Sequence, residues 1–232
     1  MIDVPRDEIP LDPPLPKGDA RSAPPLPKGV TRSSPPLAKG GGGISSTARI
    51  LLTGFGGQGI VLAGHILGKA AAIYDGREAT LIQAYGPEAR GGATLVQVVI
   101  SNEPILYPYI DSADAILCMS QEGFSKYGPL RRPGGALLIE EGLVRLPEGY
   151  PPEGVFGIPA TELAVEAGRK MVANIVMLGF LVAVTGVVGR AALESAIRST
   201  VPKGTDELNL GAFARGFVHG ELLLRERSTD PD

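Results

Sequence analysis

A strand, a glycine-rich loop and a helix in immediate succession constrain the fold of this chain most. Residues 50–53 form an apolar run that predicts a buried strand, and residues 54–59, GFGGQG, follow it directly. Between residues 60 and 72 apolar side chains recur at helical spacing, which predicts a helix. Glycines admit positive φ angles and close approach of another molecule, and the free N–H groups at the start of a helix attract anions. The segment therefore indicates a loop that faces a phosphate or a protein partner.

A second glycine-bearing loop follows the next predicted strand. Residues 79–84 predict that strand, and residues 85–92, YGPEARGG, come directly after it. The two strands and the helix between them form a β-α-β unit. Because ligands of open α/β sheets bind outside the carboxyl ends of the strands, we expect the loops 54–59 and 85–92 to lie together at that edge.

A dinucleotide site is one interpretation of the first loop, since Gly54, Gly56 and Gly59 fit the pattern G-x-G-x-x-G. Such a site also needs an acidic residue near the end of the second strand, where it holds the ribose hydroxyls. That strand ends without one, and Asp75 stands in the turn before the strand. The sequence therefore does not favour nicotinamide or flavin binding.

Several motifs together resemble one protein family. GFGGQG, YGPEARGG and SNEPILYP (residues 101–108) occur here in the order found in gamma subunits of 2-oxoacid:ferredoxin oxidoreductases. The resemblance continues through DAILCMSQEGFSKYGP (114–129), IPATELA (158–164), NIVMLG (174–179) and NLGAFARG (209–216). Glu103-Pro104-Ile105 followed by Tyr107-Pro108 is most similar to the 2-oxoglutarate branch.

The resemblance implies a subunit that is not catalytic alone. The whole complex would convert a 2-oxoacid, coenzyme A and oxidised ferredoxin into acyl-CoA (succinyl-CoA for 2-oxoglutarate), carbon dioxide and reduced ferredoxin. Thiamine diphosphate, Mg²⁺ and iron–sulfur clusters would be carried by the other subunits, and this chain would bind no cofactor by itself. The implied partners are alpha and beta subunits that bind thiamine diphosphate, an iron–sulfur ferredoxin-like subunit and ferredoxin. Alternatives are a stand-alone nucleotide- or CoA-binding α/β protein, or the gamma subunit of a pyruvate or indolepyruvate enzyme.

The side chains of this chain do not form a catalytic centre of their own. Cys118 is the only cysteine, so the chain holds neither an internal disulfide nor a four-thiolate cluster. His65 and His219 lack the paired spacing of metal ligands, and no G-x-S-x-G nucleophile motif is present. We therefore expect no metal site in this chain.

Candidate functional residues lie in the two glycine loops and in one later helix. Arg90, beside Gly91 and Gly92, suits an anion through its bidentate fork, or pairs with Glu88 or a neighbouring subunit. Asn174 is polar within an apolar helix and needs a partner if it is buried; that partner is backbone or a glycine loop. The full candidate set for substrate, CoA or subunit contact is Gly54, Gly56, Gly57, Gln58, Gly59, Tyr85, Gly86, Glu88, Arg90, Gly91, Gly92 and Asn174.

The chain divides into an extension, a domain and a tail. Residues 1–46 hold ten of the 21 prolines and repeat an 11-residue unit, PPLPKGDARSA then PPLPKGVTRSS, before PPLAKG. This composition predicts a disordered segment, which serves either as a tether or as a proline-rich ligand for a partner groove. Residues 47–226 are the predicted gamma domain, and residues 227–232 a frayed tail.

The fold class expected for the domain is three-layer α/β, with an open mixed or mostly parallel sheet and a helical C-terminal half. Helices are predicted over 160–168, 171–186, 190–199 and 206–225. The apolar segment 171–189 nearly has the length of a membrane span, but Gly186 to Gly189 break it, which favours a buried helix. The net charge of -3 argues against nucleic-acid binding. We therefore expect a cytoplasmic protein without a membrane segment.

Overall fold

The computed structural model describes residues 47–84 and 93–229. They form one six-stranded sheet with helices on both faces. The strands are β1 (Thr47–Phe55), β2 (Glu78–Ala84), β3 (Ala93–Ser101), β4 (Ala113–Cys118), β5 (Arg131–Glu140) and β6 (Val155–Ile158). The helices are α1 (Ile60–Lys69, extended by a π-helical turn, Ala70–Tyr74), α2 (Gln121–Tyr127), α3 (Ala160–Glu166), α4 (Ala173–Thr185), α5 (Arg190–Arg198) and α6 (Asp206–Thr229). The three-layer α/β class with a mixed sheet and a helical C-terminal half is confirmed.

The strand order is β2-β3-β1-β4-β5-β6. β3 runs antiparallel to both of its neighbours, whereas β1, β4, β5 and β6 are mutually parallel. The predicted β-α-β unit is therefore split, because β3 lies between β1 and β2. β3 is apolar and buried along almost its whole length, which favours an inner position between two strands over a position at the edge of the sheet.

The two faces of the sheet are covered unequally. Alternate residues of the central strands, such as Leu52, Val98 and Leu117, join a large core with the helices α1, α4, α5 and α6. The residues between them, such as Leu51 and Val99, join a smaller core with the short helix α2 and the loops that follow β3 and β5. The second layer is therefore thin, and most of it is loop.

One turn predicted from sequence lies inside a strand. The sequence Pro133-Gly134-Gly135 predicts a turn before a strand at residues 136–139, but β5 begins at Arg131 and contains a bulge. The bulge is visible in the register with β4, which moves from Ala113–Arg131 to Ala115–Ala136. Gly134, with φ of 73°, supplies the left-handed residue that the bulge needs.

The apolar segment of the C-terminal half is a core helix. α4 spans 13 residues, ends at Thr185 and is capped by Gly186, whose φ of 60° places it in the left-handed region. No helix within residues 47–84 and 93–229 is long and apolar enough to cross a bilayer. α4 packs tightly against α6, where Gly216 allows the two backbones to approach closely. The membrane-span interpretation of residues 171–189 is therefore not supported by the structure.

Some predictions fall partly or wholly outside the described residues. These are the extension 1–46 and six candidate site residues: Tyr85, Gly86, Glu88, Arg90, Gly91 and Gly92. Of the tail assigned to 227–232, residues 227–229 belong to α6. The Arg227 guanidinium donates to the Val155 carbonyl at 2.6 Å, and its cation lies 4.5 Å from the Phe156 ring centroid.

Candidate functional site

The glycine-rich loop lies at the carboxyl edge of the sheet. β1 ends at Phe55, and a turn closed by the Gln58 N–H on the Phe55 carbonyl (3.2 Å) leads into α1. Gly57 and Gly59 have φ angles of 91° and 73°, which side-chain-bearing residues rarely adopt. The predicted order of strand, glycine turn and helix is thus confirmed, with α1 beginning at Ile60.

Gln58 holds the loop in shape. Its Oε1 accepts from the Phe55 N–H at 2.6 Å, and its Nε2 donates to the Met119 carbonyl at the end of β4 (2.9 Å). A Cβ at Gly54 would lie 2.5 Å from this Oε1, so a larger residue there would displace the amide. Because both ends of the amide are bonded within the chain, Gln58 positions the loop.

Asn174, in the first turn of α4, fixes the other end of the loop. Its side chain is 3% exposed, and its Nδ2 donates to the Gly59 carbonyl at 3.0 Å. A Cβ at Gly59 would lie 2.5 Å from that nitrogen. The sequence suggested two alternative partners for Asn174, the backbone or a glycine loop. The observed bond satisfies both interpretations, because its acceptor is a backbone carbonyl of the glycine loop.

The tip of the loop is open to solvent. Gly56 and Gly57 are exposed, and a Cβ built on either would meet no atom within 4 Å. Phe55 is 39% exposed beside them. α1 has neither a side-chain cap nor an acidic residue in its first turn, so its N-terminal N–H groups keep their affinity for an anion. The tip can therefore approach an anionic group or a protein surface.

The residues that bound the second loop lie at the same edge. Ala93, at the start of β3, is opposite Phe55, and Ala84, at the end of β2, is opposite Leu95. The Ala93 N–H donates to Glu122 Oε1 at 3.3 Å. Glu122 lies in the first turn of α2, and no local pattern in the sequence indicates its contact with β3. The location of residues 85–92 themselves stays a prediction.

The remaining titratable candidates have structural surroundings. Burial raises the pKa of the Cys118 thiol to about 12, so the side chain is a neutral part of the core. His65 is exposed on α1 and lies 3.2 Å from Gln83 Nε2. His219 makes an edge contact with Phe180, with ring centroids 5.7 Å apart. A single cysteine in the whole sequence does not fit a resident iron–sulfur cluster.

Comparison with known proteins agrees with this architecture. The family model "Pyruvate ferredoxin/flavodoxin oxidoreductase" matches residues 49–218. A 2-oxoglutarate synthase subunit KorC from Methanocaldococcus jannaschii is 49% identical over 172 residues, 72% of this chain and 91% of the relative. A second subunit of that name, from Methanothermobacter marburgensis, is 44% identical over 173 residues, 72% of this chain and 93% of the relative.

Two solved structures have the same fold. The gamma subunit of a keto/oxoacid ferredoxin oxidoreductase from Geobacter sulfurreducens is 42% identical, with a TM-score of 0.68 over 75% of this chain and 96% of that one. The 2-oxoglutarate:ferredoxin oxidoreductase from Magnetococcus marinus, solved with 2-oxoglutarate, coenzyme A and succinyl-CoA bound, is 25% identical. Its TM-score is also 0.68, over 76% of this chain and 31% of that one. The chain therefore belongs to the pyruvate ferredoxin/flavodoxin oxidoreductase family, as a gamma subunit of a 2-oxoacid:ferredoxin oxidoreductase complex.

Proposed function

We propose that this gamma subunit serves an enzyme whose substrate is 2-oxoglutarate. The complex then carries out the CoA-dependent oxidative decarboxylation of 2-oxoglutarate to succinyl-CoA and carbon dioxide, and passes two electrons to ferredoxin. Support comes from relatives named 2-oxoglutarate synthase subunit that are 44–49% identical over nearly their full length. Residues 103–108, EPILYP, support the same branch. The cytoplasmic location stays a prediction.

The contribution of this chain is made by the carboxyl edge of its sheet. There, the exposed backbone of Gly56 and Gly57 adjoins the positive end of α1, and the strand ends that bound residues 85–92 lie alongside. This juxtaposition is the observation that carries the proposal. An edge of this kind offers N–H groups to the phosphates of CoA or to a neighbouring subunit. We expect Arg90, in the sequence between these strand ends, to add a cation to this edge.

The redox and thiamine chemistry belongs to other subunits. The only thiol, Cys118, is buried and neutral, so this chain lacks the ligands for an iron–sulfur cluster. Among residues 47–84 and 93–229, no group of three His, Cys, Asp or Glu side chains is placed to hold a metal ion. The partners under this proposal are alpha and beta subunits that bind thiamine diphosphate with Mg²⁺, and an iron–sulfur subunit that reduces ferredoxin.

Purification of the chain from its native extract tests the proposal. We expect subunits with thiamine diphosphate and iron–sulfur clusters to co-purify, and the preparation to reduce ferredoxin or viologen in the presence of 2-oxoglutarate and CoA. The same assay with pyruvate and with indolepyruvate measures substrate choice. A monomer without partners that binds a nucleotide would contradict the proposal, and faster turnover of pyruvate would contradict the assignment to 2-oxoglutarate.

Arg90→Ala tests the role of the edge itself. We expect turnover of the assembled complex to fall roughly tenfold or more, because a hydrogen bond to a charged group contributes about 1.5–3 kcal/mol. The melting temperature of the chain should stay unchanged. Arg198→Ala, at an exposed position on α5, is the matched control and should retain full turnover. Normal turnover together with a large loss of stability would instead assign Arg90 a structural role.

A further inference from the structure

The loop between β3 and β4 presents an ordered apolar surface. It starts at Ser101, which pairs with Thr47 and Glu78, the first residues of β1 and β2. The loop therefore leaves the sheet at the edge opposite the glycine-rich loop. It then runs over the thinly covered face, where Ile105 packs on the smaller core and Ile110 is buried in it.

Two hydrogen bonds hold the ends of this loop. The Glu103 N–H donates to Ser101 Oγ at 3.0 Å, and the Ile110 N–H donates to Gln97 Oε1 at 2.8 Å. Gln97 is a polar side chain in the middle of β3, and its bond to the loop accounts for its place among buried apolar residues. Because the loop is shaped before any partner arrives, little ordering entropy opposes binding there.

The residues between these anchors point outward. Leu106 is 94% exposed, Tyr107 61% and Tyr109 53%, and the two tyrosine rings are 5.5 Å apart. Leucine side chains are ordinarily buried to a much greater extent. Tyrosine is enriched among the residues that dominate the energy of protein interfaces. These three residues, which we call the Leu106 surface, are therefore exposed and have the composition of a protein interface.

We propose that the Leu106 surface docks one partner subunit of the same enzyme, and that Leu106 enters an apolar pocket on it. The proposal rests on the gamma-subunit function above, and it concerns the edge of the sheet opposite the candidate site. Glu103 and Asp111 flank the surface, are exposed, and form no ion pair within residues 47–84 and 93–229. The partner should therefore carry a basic rim around its pocket.

Two observations favour a protein subunit as the occupant. The face of the sheet that carries the larger core is covered by a full layer of helices. The opposite face, under the Leu106 surface, is covered only by the seven-residue helix α2 and by loops. In addition, the region similar to this chain is only 31% of the longer Magnetococcus marinus chain, and 38% of a ketoisovalerate oxidoreductase subunit VorA. Under this proposal, a separate subunit is the counterpart of the remainder of those longer chains.

The test uses the full chain with its own partner subunits. The variant replaces Leu106, Tyr107 and Tyr109 with serine, and association is measured by titrating the labelled chain into the purified complex that lacks its gamma subunit. We expect at least tenfold weaker association, with an unchanged melting temperature of the free chain. The matched control replaces two other exposed apolar residues, Val218 and Leu222 on α6, with serine, and should bind like the parent.

The outcomes separate this proposal from the proposed function. If the parent chain assembles with its partners and the triple variant binds equally well, the Leu106 surface is not the docking site and the gamma-subunit function stands. If the parent chain binds no thiamine diphosphate-containing partner, the proposed function itself fails. If the parent chain forms a dimer by itself and the triple variant is a monomer, the occupant is a second copy, and the partner-subunit proposal is overturned.

Discussion

Gly216→Ala should destabilise this domain, although alanine is the better helix former. Gly216 lies in α6 where it crosses α4. A Cβ built on it would overlap the Val176 carbonyl oxygen, and it would lie 2.8 Å from the Val176 carbonyl carbon and 3.1 Å from the Phe180 nitrogen. All three atoms are backbone, so no side-chain rotation relieves the overlap. The two helices must move apart.

The size of the effect follows from two opposing terms. In an unconstrained helix interior the substitution of glycine by alanine stabilises by about 1 kcal/mol. Overpacking of a close-packed contact costs about 1–3 kcal/mol, and more where backbone has to shift. Because α4 is buried along ten consecutive residues, its displacement disturbs the whole larger core. We expect a net loss of about 2 kcal/mol in the free energy of unfolding, which lowers the melting temperature by roughly 4–8 °C.

Thermal and urea denaturation followed by circular dichroism measure this effect, and Gly211→Ala is the matched control. Gly211 lies in the same helix, and a Cβ there would meet only the Arg215 Nη1, at 3.4 Å. That atom is the end of a flexible side chain. The control should therefore gain up to about 1 kcal/mol. Equal stability changes in the two variants would refute the close helix crossing as the reason for glycine at position 216.

Three further predictions concern the loop and the core. Asn174→Ala should cost about 0.5–1.5 kcal/mol, because it removes one hydrogen bond to the Gly59 carbonyl, which keeps the Ala63 N–H (2.9 Å) as its other donor; an unchanged urea midpoint would contradict this. Gln58→Ala should cost about 1–2 kcal/mol through two lost hydrogen bonds and raise hydrogen exchange of the Phe55 amide, whereas Gln58→Glu keeps the acceptor and should protect that amide. The folded-state pKa of Cys118, about 12, lies above the unfolded value of about 8.5. Because the unfolded thiol ionises first, the free energy of unfolding should stay constant below about pH 8.5 and fall as the pH rises toward 12, by up to about 1.4 kcal/mol per pH unit. Cys118→Ala should flatten this decline. An equally steep decline in the variant would refute the assignment of the decline to Cys118.

Most of the local structure could be predicted from the sequence. Helix positions in the C-terminal half came within a few residues of the observed bounds, since apolar residues recur there at helical spacing and Gly186 ends α4. The strand, glycine loop and helix at residues 50–72 were equally readable, because positive φ angles at Gly57 and Gly59 require residues without a Cβ. The sequence did not predict the bulge in β5, because Pro133-Gly134-Gly135 is typical of a turn between elements.

The candidate site divides along the same line. Sequence alone identified the glycine loop and singled out Asn174 as a polar residue that needs a partner if it is buried. It also determined that this chain cannot hold an iron–sulfur cluster, because that depends only on a count of cysteines. These properties depend on single residues or on short segments, so the local sequence is enough to predict them.

Only the tertiary structure decided which segments meet. Asn174 reaches Gly59 across 115 residues, and Gln58 reaches the end of β4 across 61. The insertion of β3 between β1 and β2 gathers the strand ends at the carboxyl edge, and no periodicity in the sequence reports it. Likewise, Leu106 is exposed although it is apolar, because the loop that carries it is anchored with this side chain facing outward. Secondary structure follows from neighbours in sequence, whereas these contacts result from the joint burial of distant apolar faces in one close-packed core.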